Sequence, residues 1–212
     1  AVFRVGKQNG VEYNEYTTDK NGEIFLEKLD PDWYIITEMR APTGYLLPVD
    51  PELDPIELVP GKTSEVVVTN QVKPSLTILK ADAVTMRGLP NATFKLTKRG
   101  ASEYTTVTTD FDGKAVITGL DAGWYIVEEI KAPAGYIPIT EPWNVELKPD
   151  EDTVITIPNT KIPSLTSKKV DKLTRNPLKN AEFELRKSDG TVVFKGLTDA
   201  YGEIYIERID PG

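Results

Sequence analysis

The stretch YIITEMRAPTGY at 34–45 returns at 125–136 as YIVEEIKAPAGY. Each copy ends a short apolar strand on a glutamate, Glu38 or Glu129, just ahead of Ala-Pro-x-Gly-Tyr. Side chains alternate along a strand, so Tyr125, Val127 and Glu129 share one face, as do Tyr34, Ile36 and Glu38. Other polar residues close an apolar row in the same way. Lys80 follows Leu76 and Ile78 in LTILK, and Lys169 follows Leu165 and Ser167. Asn159 follows Ile155 and Ile157, and Asn70 follows Val66 and Val68. The opposite face of Trp124, Ile126 and Glu128 is not purely polar, so parity is read together with the copies. Position 128 is Thr37 in the first copy while the inward glutamate is kept, and the same comparison favours Lys169 over Lys168.

An amine, a carboxyl and a carboxamide aimed at one core form a reactive set. A buried charge is costly unless paired, and a shifted pKa neutralises it. A lysine and a carboxyl buried together can exist as amine plus acid, with the acid donating a hydrogen bond. The plainer alternatives are a lysine snorkelling at a strand end, a glutamate in a surface ion pair and an asparagine capping a turn. Each explains its own residue, but all three would have to hold within one unit.

The elements that must position these groups come from a tandem repeat. KPSLTILKAD at 73–82 matches IPSLTSKKVD at 162–171, and NATFKL at 91–96 matches NAEFEL at 180–185. AVFRV at the N-terminus fits the same slot as NATFKL, and VVVTNQVKPSL at 66–76 matches ITIPNTKIPSL at 155–165. The period of roughly 90 residues divides the chain into 1–72, a full unit at 73–162, and 163–212. The first unit begins at its second strand, and the third runs to Asp-Pro-Gly where the others continue into Trp-Tyr. The joints Gln-Val-Lys-Pro and Thr-Lys-Ile-Pro are short and contain proline, which predicts stiff coupling. Within a unit every segment reads as strand: LTILK, ATFKLT, TTVTT, KAVITGL, WYIVEE, WNVELK and TVITIPN are rich in β-branched and aromatic residues. TDKNG, TDFDG and TDAYG read as hairpin turns; Asp-x-Asp-Gly resembles a calcium loop, but the downstream bidentate glutamate is missing.

Composition narrows the function. Of 212 residues 39% are hydrophobic, with 16 Pro and 15 Gly, which suits small β-units better than one large core. A net charge of −8 argues against nucleic acid. No apolar run is long enough to insert in a membrane, and no signal-peptide pattern starts at Ala1. With neither Cys nor His, disulfides, thiolate nucleophiles, the usual zinc ligands and a Ser-His-Asp triad are excluded. No cofactor or metal is expected, and an exported protein of this kind needs another staple.

The LTxxK first strand, the Glu-x-x-Ala-Pro-x-Gly-Tyr box and the asparagine of a terminal VxVTN-like strand together resemble the Cna B-type, or SpaA-like, repeats of Gram-positive surface adhesins and pilins. The resemblance covers essentially the whole chain. It implies an all-β fold of tandem prealbumin-like (Ig-like) β-sandwich domains, one complete and two truncated. It also implies a self-generated isopeptide bond from Lys80 to Asn159, promoted by Glu129 as proton-shuttling acid. In the first unit Glu38 and Asn70 take those roles, with the lysine expected as far before Ala1 as Lys80 stands before Ala92. In the third, Lys169 awaits a glutamate and an asparagine. Either a longer array supplies the missing partners, or the Lys169 strand of one molecule completes the first unit of another and bonds Asn70 under Glu38. The second option builds a head-to-tail fibre.

The expected function is a stalk or fibre segment of a secreted protein in the cell wall or a surface appendage of a Gram-positive bacterium. Its expected partners are neighbouring repeats and other copies. Rival readings are an adhesin module that binds host matrix or carbohydrate through loops such as TKRGASEY and RKSDGT, and a sortase-assembled pilin backbone using Lys73 or Lys161. An enzyme built on Glu128/Glu129 or Asp150 to Asp152 is disfavoured, because loop charge clusters are usually solvated; self-crosslinking is a single turnover.

Overall fold

The computed structural model describes residues 1–207, and none of them is helical. Fifteen strands fall into sheets that follow the sequence repeat. The Asp210-Pro211-Gly212 end lies outside the described residues.

The first unit contributes β1 (Val2–Lys7), β2 (Tyr13–Thr17), β3 (Trp33–Arg40) and β4 (Ile56–Glu57), ordered β2-β1-β3-β4 in one antiparallel sheet. The second unit contributes β5 (Ser75–Asp82), β6 (Thr93–Lys98), β7 (Tyr104–Thr108), β8 (Lys114–Ile117), β9 (Gly123–Lys131), β10 (Trp143–Leu147) and β11 (Asp152–Asn159). These form two sheets, β10-β9-β6-β7 and β11-β5-β8. In the third unit β12 (Leu165–Lys168) pairs with β15 (Glu203–Ile206), and β13 (Glu182–Arg186) pairs with β14 (Val192–Leu197).

The core of the second unit is the alternation read from the sequence. Leu76, Ile78, Phe94, Leu96, Tyr125, Val127, Val145, Leu147 and Ile157 are buried between the two sheets. β5 is central to its sheet: β11 runs parallel along one edge and β8 antiparallel along the other. The first strand of the unit therefore pairs directly with its last.

The Asp-containing turns are hairpin connections. Asp19, Asp110 and Asp199 each accept two backbone N–H groups from the residues two and four positions ahead. Gly22, Gly113 and Gly202 follow at φ between 69° and 82°, where a side chain is strained.

One expectation needs correction. The row Val66, Val68, Asn70 reads as a terminal strand, yet residues 63–71 carry no strand assignment, and neither do residues 23–29. Their counterparts β11 and β8 obtain their ladder bonds from β5. Residues 1–72 contain no counterpart of β5, so both segments lack the edge that would make them strands. Val66 is left 40% exposed, whereas its counterpart Ile155 packs against the core.

Candidate functional site

Lys80 closes the inward row of β5, and its whole side chain is buried. Ile157 on β11 lies opposite it, and Asn159 is two residues further along the same parallel partner. Two positions along β11 restore the inward face, so the amide of Asn159 reaches back over the lysine. Glu129 comes from the facing sheet, opposite Phe94 on β6. A β-bulge fixes its aim: Phe94 pairs with Glu129 and Thr93 with Lys131, leaving Ile130 extra and 55% exposed. The first unit repeats this geometry, with Phe3 opposite Glu38, Val2 opposite Arg40 and Met39 extra. The bulge was not read from the sequence, although an outward apolar residue between the inward Glu and the following Lys or Arg in both copies is a usable signal.

The three side chains meet. Lys80 Nζ lies 3.2 Å from Glu129 Oε1, donates to the carbonyl of Ile157 at 2.9 Å, and contacts Asn159 Oδ1. The Asn159 amide donates to both Glu129 oxygens, at 3.1 and 3.0 Å, and the backbone N–H of Ile139 donates to Oε2 at 2.8 Å. The side chains of Lys80 and Glu129 are 0% and 1% exposed, which makes this a buried cluster and excludes the surface ion-pair reading of Glu129. The Phe94 ring roofs the amine, with its centroid 5.9 Å from Nζ. Burial pushes the Lys80 pKa below the ordinary value of 10.5, outweighing the attraction of Glu129, which raises it. The arrangement presents an amine whose charged form is penalised by burial, a carboxyl in contact with it, and an amide bonded to that carboxyl. Glu128 points outward to Lys95, with its side chain 43% exposed.

Tyr136, the last residue of the Ala-Pro-x-Gly-Tyr box, accounts for that motif. Its hydroxyl donates to Asp82 at 2.9 Å, pinning the end of β5 two residues beyond Lys80. Asp82 also accepts the Thr85 and Val84 N–H groups and the Thr85 hydroxyl, and these bonds hold its pKa down at about 2 against an ordinary 3.8. A depressed carboxyl pKa contributes stability above the unfolded value, and the contribution is lost as pH falls through the folded one. The melting-temperature gap between the wild-type chain and Asp82→Asn is therefore expected to close between about pH 4 and pH 2. A gap of constant size over that window would show that the Asp82 charge is not what holds the turn.

The family comparison agrees with this architecture. The SpaA family, described as a prealbumin-like fold domain, matches residues 1–72, 74–161 and 163–212. The chain belongs to that family. Solved structures similar to it include the Bacillus anthracis TIE protein, 31% identical over 97% of this chain with a TM-score of 0.47. Another is the full-length major pilin SpaD of Corynebacterium diphtheriae, 28% identical over 49% of this chain with a TM-score of 0.39. A streptococcal ancillary pilin is 19% identical over 92% of this chain, with a TM-score of 0.42 and 69% of its own length covered. The chain spans 40% of the length of the first of these structures and 33% of the second. No curated protein matches it.

The other candidate residues of these SpaA repeats are not gathered into a complete set. Glu38 is buried and accepts the Asn70 amide at 2.8 Å, but among the described residues no lysine pairs with it. Lys169 occupies the backbone position of Lys80: its N–H donates to Gly202 as that of Lys80 does to Gly113, and its carbonyl accepts from Leu178 as that of Lys80 does from Leu89. Its side chain is exposed, with neither the glutamate nor the asparagine of a SpaA cluster beside it among the described residues. Lys168 is also exposed and pairs with Glu203. At the joints, Lys73 pairs with Asp121 at 3.0 Å and Lys161 is exposed. The acidic run at 150–152 serves the first joint, where Asp150 accepts the Val72 N–H at 2.6 Å and the Gln71 amide at 3.2 Å. No helix of the described residues is long and apolar enough to cross a membrane.

Proposed function

We propose that the chain is a structural segment of a Gram-positive surface stalk or fibre whose complete repeat is stapled by an amide bond between Lys80 and Asn159. The observation that carries this reading is the buried contact of Lys80, Glu129 and Asn159, which joins the first and last strands of one unit and reaches across to the facing sheet. Nζ of neutral Lys80 attacks Cγ of Asn159. Glu129 takes the proton that Nζ sheds and delivers it to the departing nitrogen, which leaves as ammonia. Amine plus carboxamide thus becomes a secondary amide plus ammonia, with no oxidant or cofactor. The fold supplies the rate through proximity, since oriented groups reach effective molarities of about 10⁵ M or more, and through general acid–base transfer by Glu129. The reaction runs once per unit and consumes no external substrate.

The staple suits a chain that has no cysteine and must hold small cores together outside the cell. Because β5 and β11 are adjacent, a bond between them carries tension across the unit without unzipping the sandwich. Membership in a family that includes pilins supports the assembly role, and the domain limits 1–72, 73–162 and 163–212 follow from the repeat. The test is intact mass. The folded chain is expected to be lighter than its sequence by one ammonia, with a branched peptide joining the strands of Lys80 and Asn159. The full sequence mass from folded protein overturns the reading.

A further inference from the structure

The two oxygens of Glu129 are not equivalent. Oε1 lies 3.2 Å from Lys80 Nζ and 3.1 Å from the Asn159 amide nitrogen, so one atom faces both the nucleophile and the leaving group. Oε2 accepts the Asn159 amide at 3.0 Å and the backbone N–H of Ile139 at 2.8 Å. The terminal torsion of a glutamate is broad and roughly two-fold, so the side chain alone does not decide how its carboxyl plane is turned. Of the donors around this carboxyl among the described residues, only the Ile139 N–H takes no part in the proposed reaction.

That N–H is held from several sides. Pro138, just before it, has a fixed φ and no N–H of its own. Ile137 donates its N–H to the carbonyl of Thr160 at 2.9 Å, next to Asn159. The Tyr136 hydroxyl donates to Asp82, two residues beyond Lys80. The Ile139 side chain packs against the core. The loop that delivers the N–H is thus tied to the ends of both reacting strands.

We propose that Ile139 is a positioning residue for the crosslink: its backbone N–H holds Glu129 Oε2 and so keeps Oε1 between Nζ and the departing nitrogen. The inference rests on the Lys–Asn chemistry proposed above. The proton that Nζ sheds as it attacks Asn159 Cγ goes to Oε1, and from Oε1 to the amide nitrogen, which departs as ammonia. No rotation of the carboxyl intervenes. Without the N–H the carboxyl is free to turn and Oε1 leaves its place between the two nitrogens. A misplacement of about 1 Å in such a step costs about 100-fold in rate.

The first repeat supplies the variant that tests this. Pro48 stands where Ile139 stands, in a loop with the same backbone bonds: Leu46 donates to Gln71 as Ile137 does to Thr160, and Lys73 to Gly44 as Ile162 does to Gly135. The loop therefore accepts a residue with no N–H. The test follows the intact mass of newly made full chain over time. Ile139→Pro should lose its ammonia about 100-fold more slowly than the parent. Ile139→Ala keeps the N–H and loses the packed side chain, so it should melt lower yet crosslink at the parent rate. The ratio of the parent and Ile139→Pro rates should be the same at every pH, because Lys80 keeps its burial. In the unreactive Lys80→Met chain, the Ile139 amide should exchange with solvent more slowly than when Glu129→Ala is added. Ile139→Pro at the parent rate, Ile139→Ala as slow as Ile139→Pro, a ratio that closes as pH rises, or equal amide exchange each overturns the positioning role and leaves the staple standing. If the folded parent itself keeps its full sequence mass, the Lys–Asn chemistry fails and the positioning role fails with it.

Discussion

Glu129→Gln is expected to leave the second repeat folded but at its full sequence mass. Glutamine fills the same volume and can still bond Asn159 and the Ile139 N–H, so the packing of the sheets is retained. It can neither accept the proton of Lys80 nor return one to the departing nitrogen, and the amide bond does not form. The proposed crosslink would close a loop of almost the whole unit. Treated as a disulfide of that span, its loss costs about 4–5 kcal/mol through the unfolded state. The uncrosslinked Lys80 amine left buried without a carboxyl beside it adds to this. The variant should melt well below the parent and be cut by protease under conditions that leave the parent whole. Glu128→Ala is the control: its outward side chain pairs only with Lys95, so crosslinking stays complete and stability moves by less than about 1 kcal/mol. Equal crosslinking in Glu129→Gln and Glu128→Ala would remove Glu129 from the mechanism.

Phe94→Ala should weaken the unit and slow the reaction together. The ring is fully buried, and truncating such a side chain costs about 3–5 kcal/mol through lost transfer and a residual cavity. It also roofs the amine, and burial is the leading cause of the low Lys80 pKa. Water admitted above Nζ moves that pKa up towards the ordinary lysine value, so a smaller fraction of the amine is neutral at any given pH. A time course of newly made protein should show uncrosslinked chain persisting longer in Phe94→Ala at neutral pH, and the lag should shorten as pH is raised. Phe94→Leu should fall between the two. If Phe94→Ala crosslinks as fast as the parent, desolvation is not what activates Lys80.

The two results separate what each part of the cluster supplies. On the proposed mechanism Glu129 moves protons, so its loss should stop the chemistry in a fold that remains intact. Phe94 sets the environment, so its loss should change a rate through the protonation state of a residue it does not bond.

Much of this site was legible in the chain. Period-two alternation assigned Lys80, Glu129 and Asn159 to inward positions, because an interior row that ends in a polar residue is visible without coordinates. The repeat added a second reading of the same parity, which separated Glu129 from Glu128; the parallel choice of Lys169 over Lys168 is not matched by burial, since both are exposed. Absence of cysteine and histidine removed competing chemistry. What the sequence did not carry is anything that depends on a partner strand. The bulge at Ile130 and Met39 arises where β9 and β3 meet their neighbours, and it re-aims the glutamate only in the paired sheet. Asp82 and Tyr136 lie far apart in the chain and come together because β5 ends beside the Ala-Pro-x-Gly-Tyr turn. Val66, Val68 and Asn70 have the pattern of a strand, but a strand exists only where another supplies its hydrogen bonds, and residues 1–72 include no counterpart of β5. Composition and periodicity therefore determined which residues face inward. Tertiary pairing decided which of them meet, since the backbone bonds that fix register are made between segments that local sequence does not see.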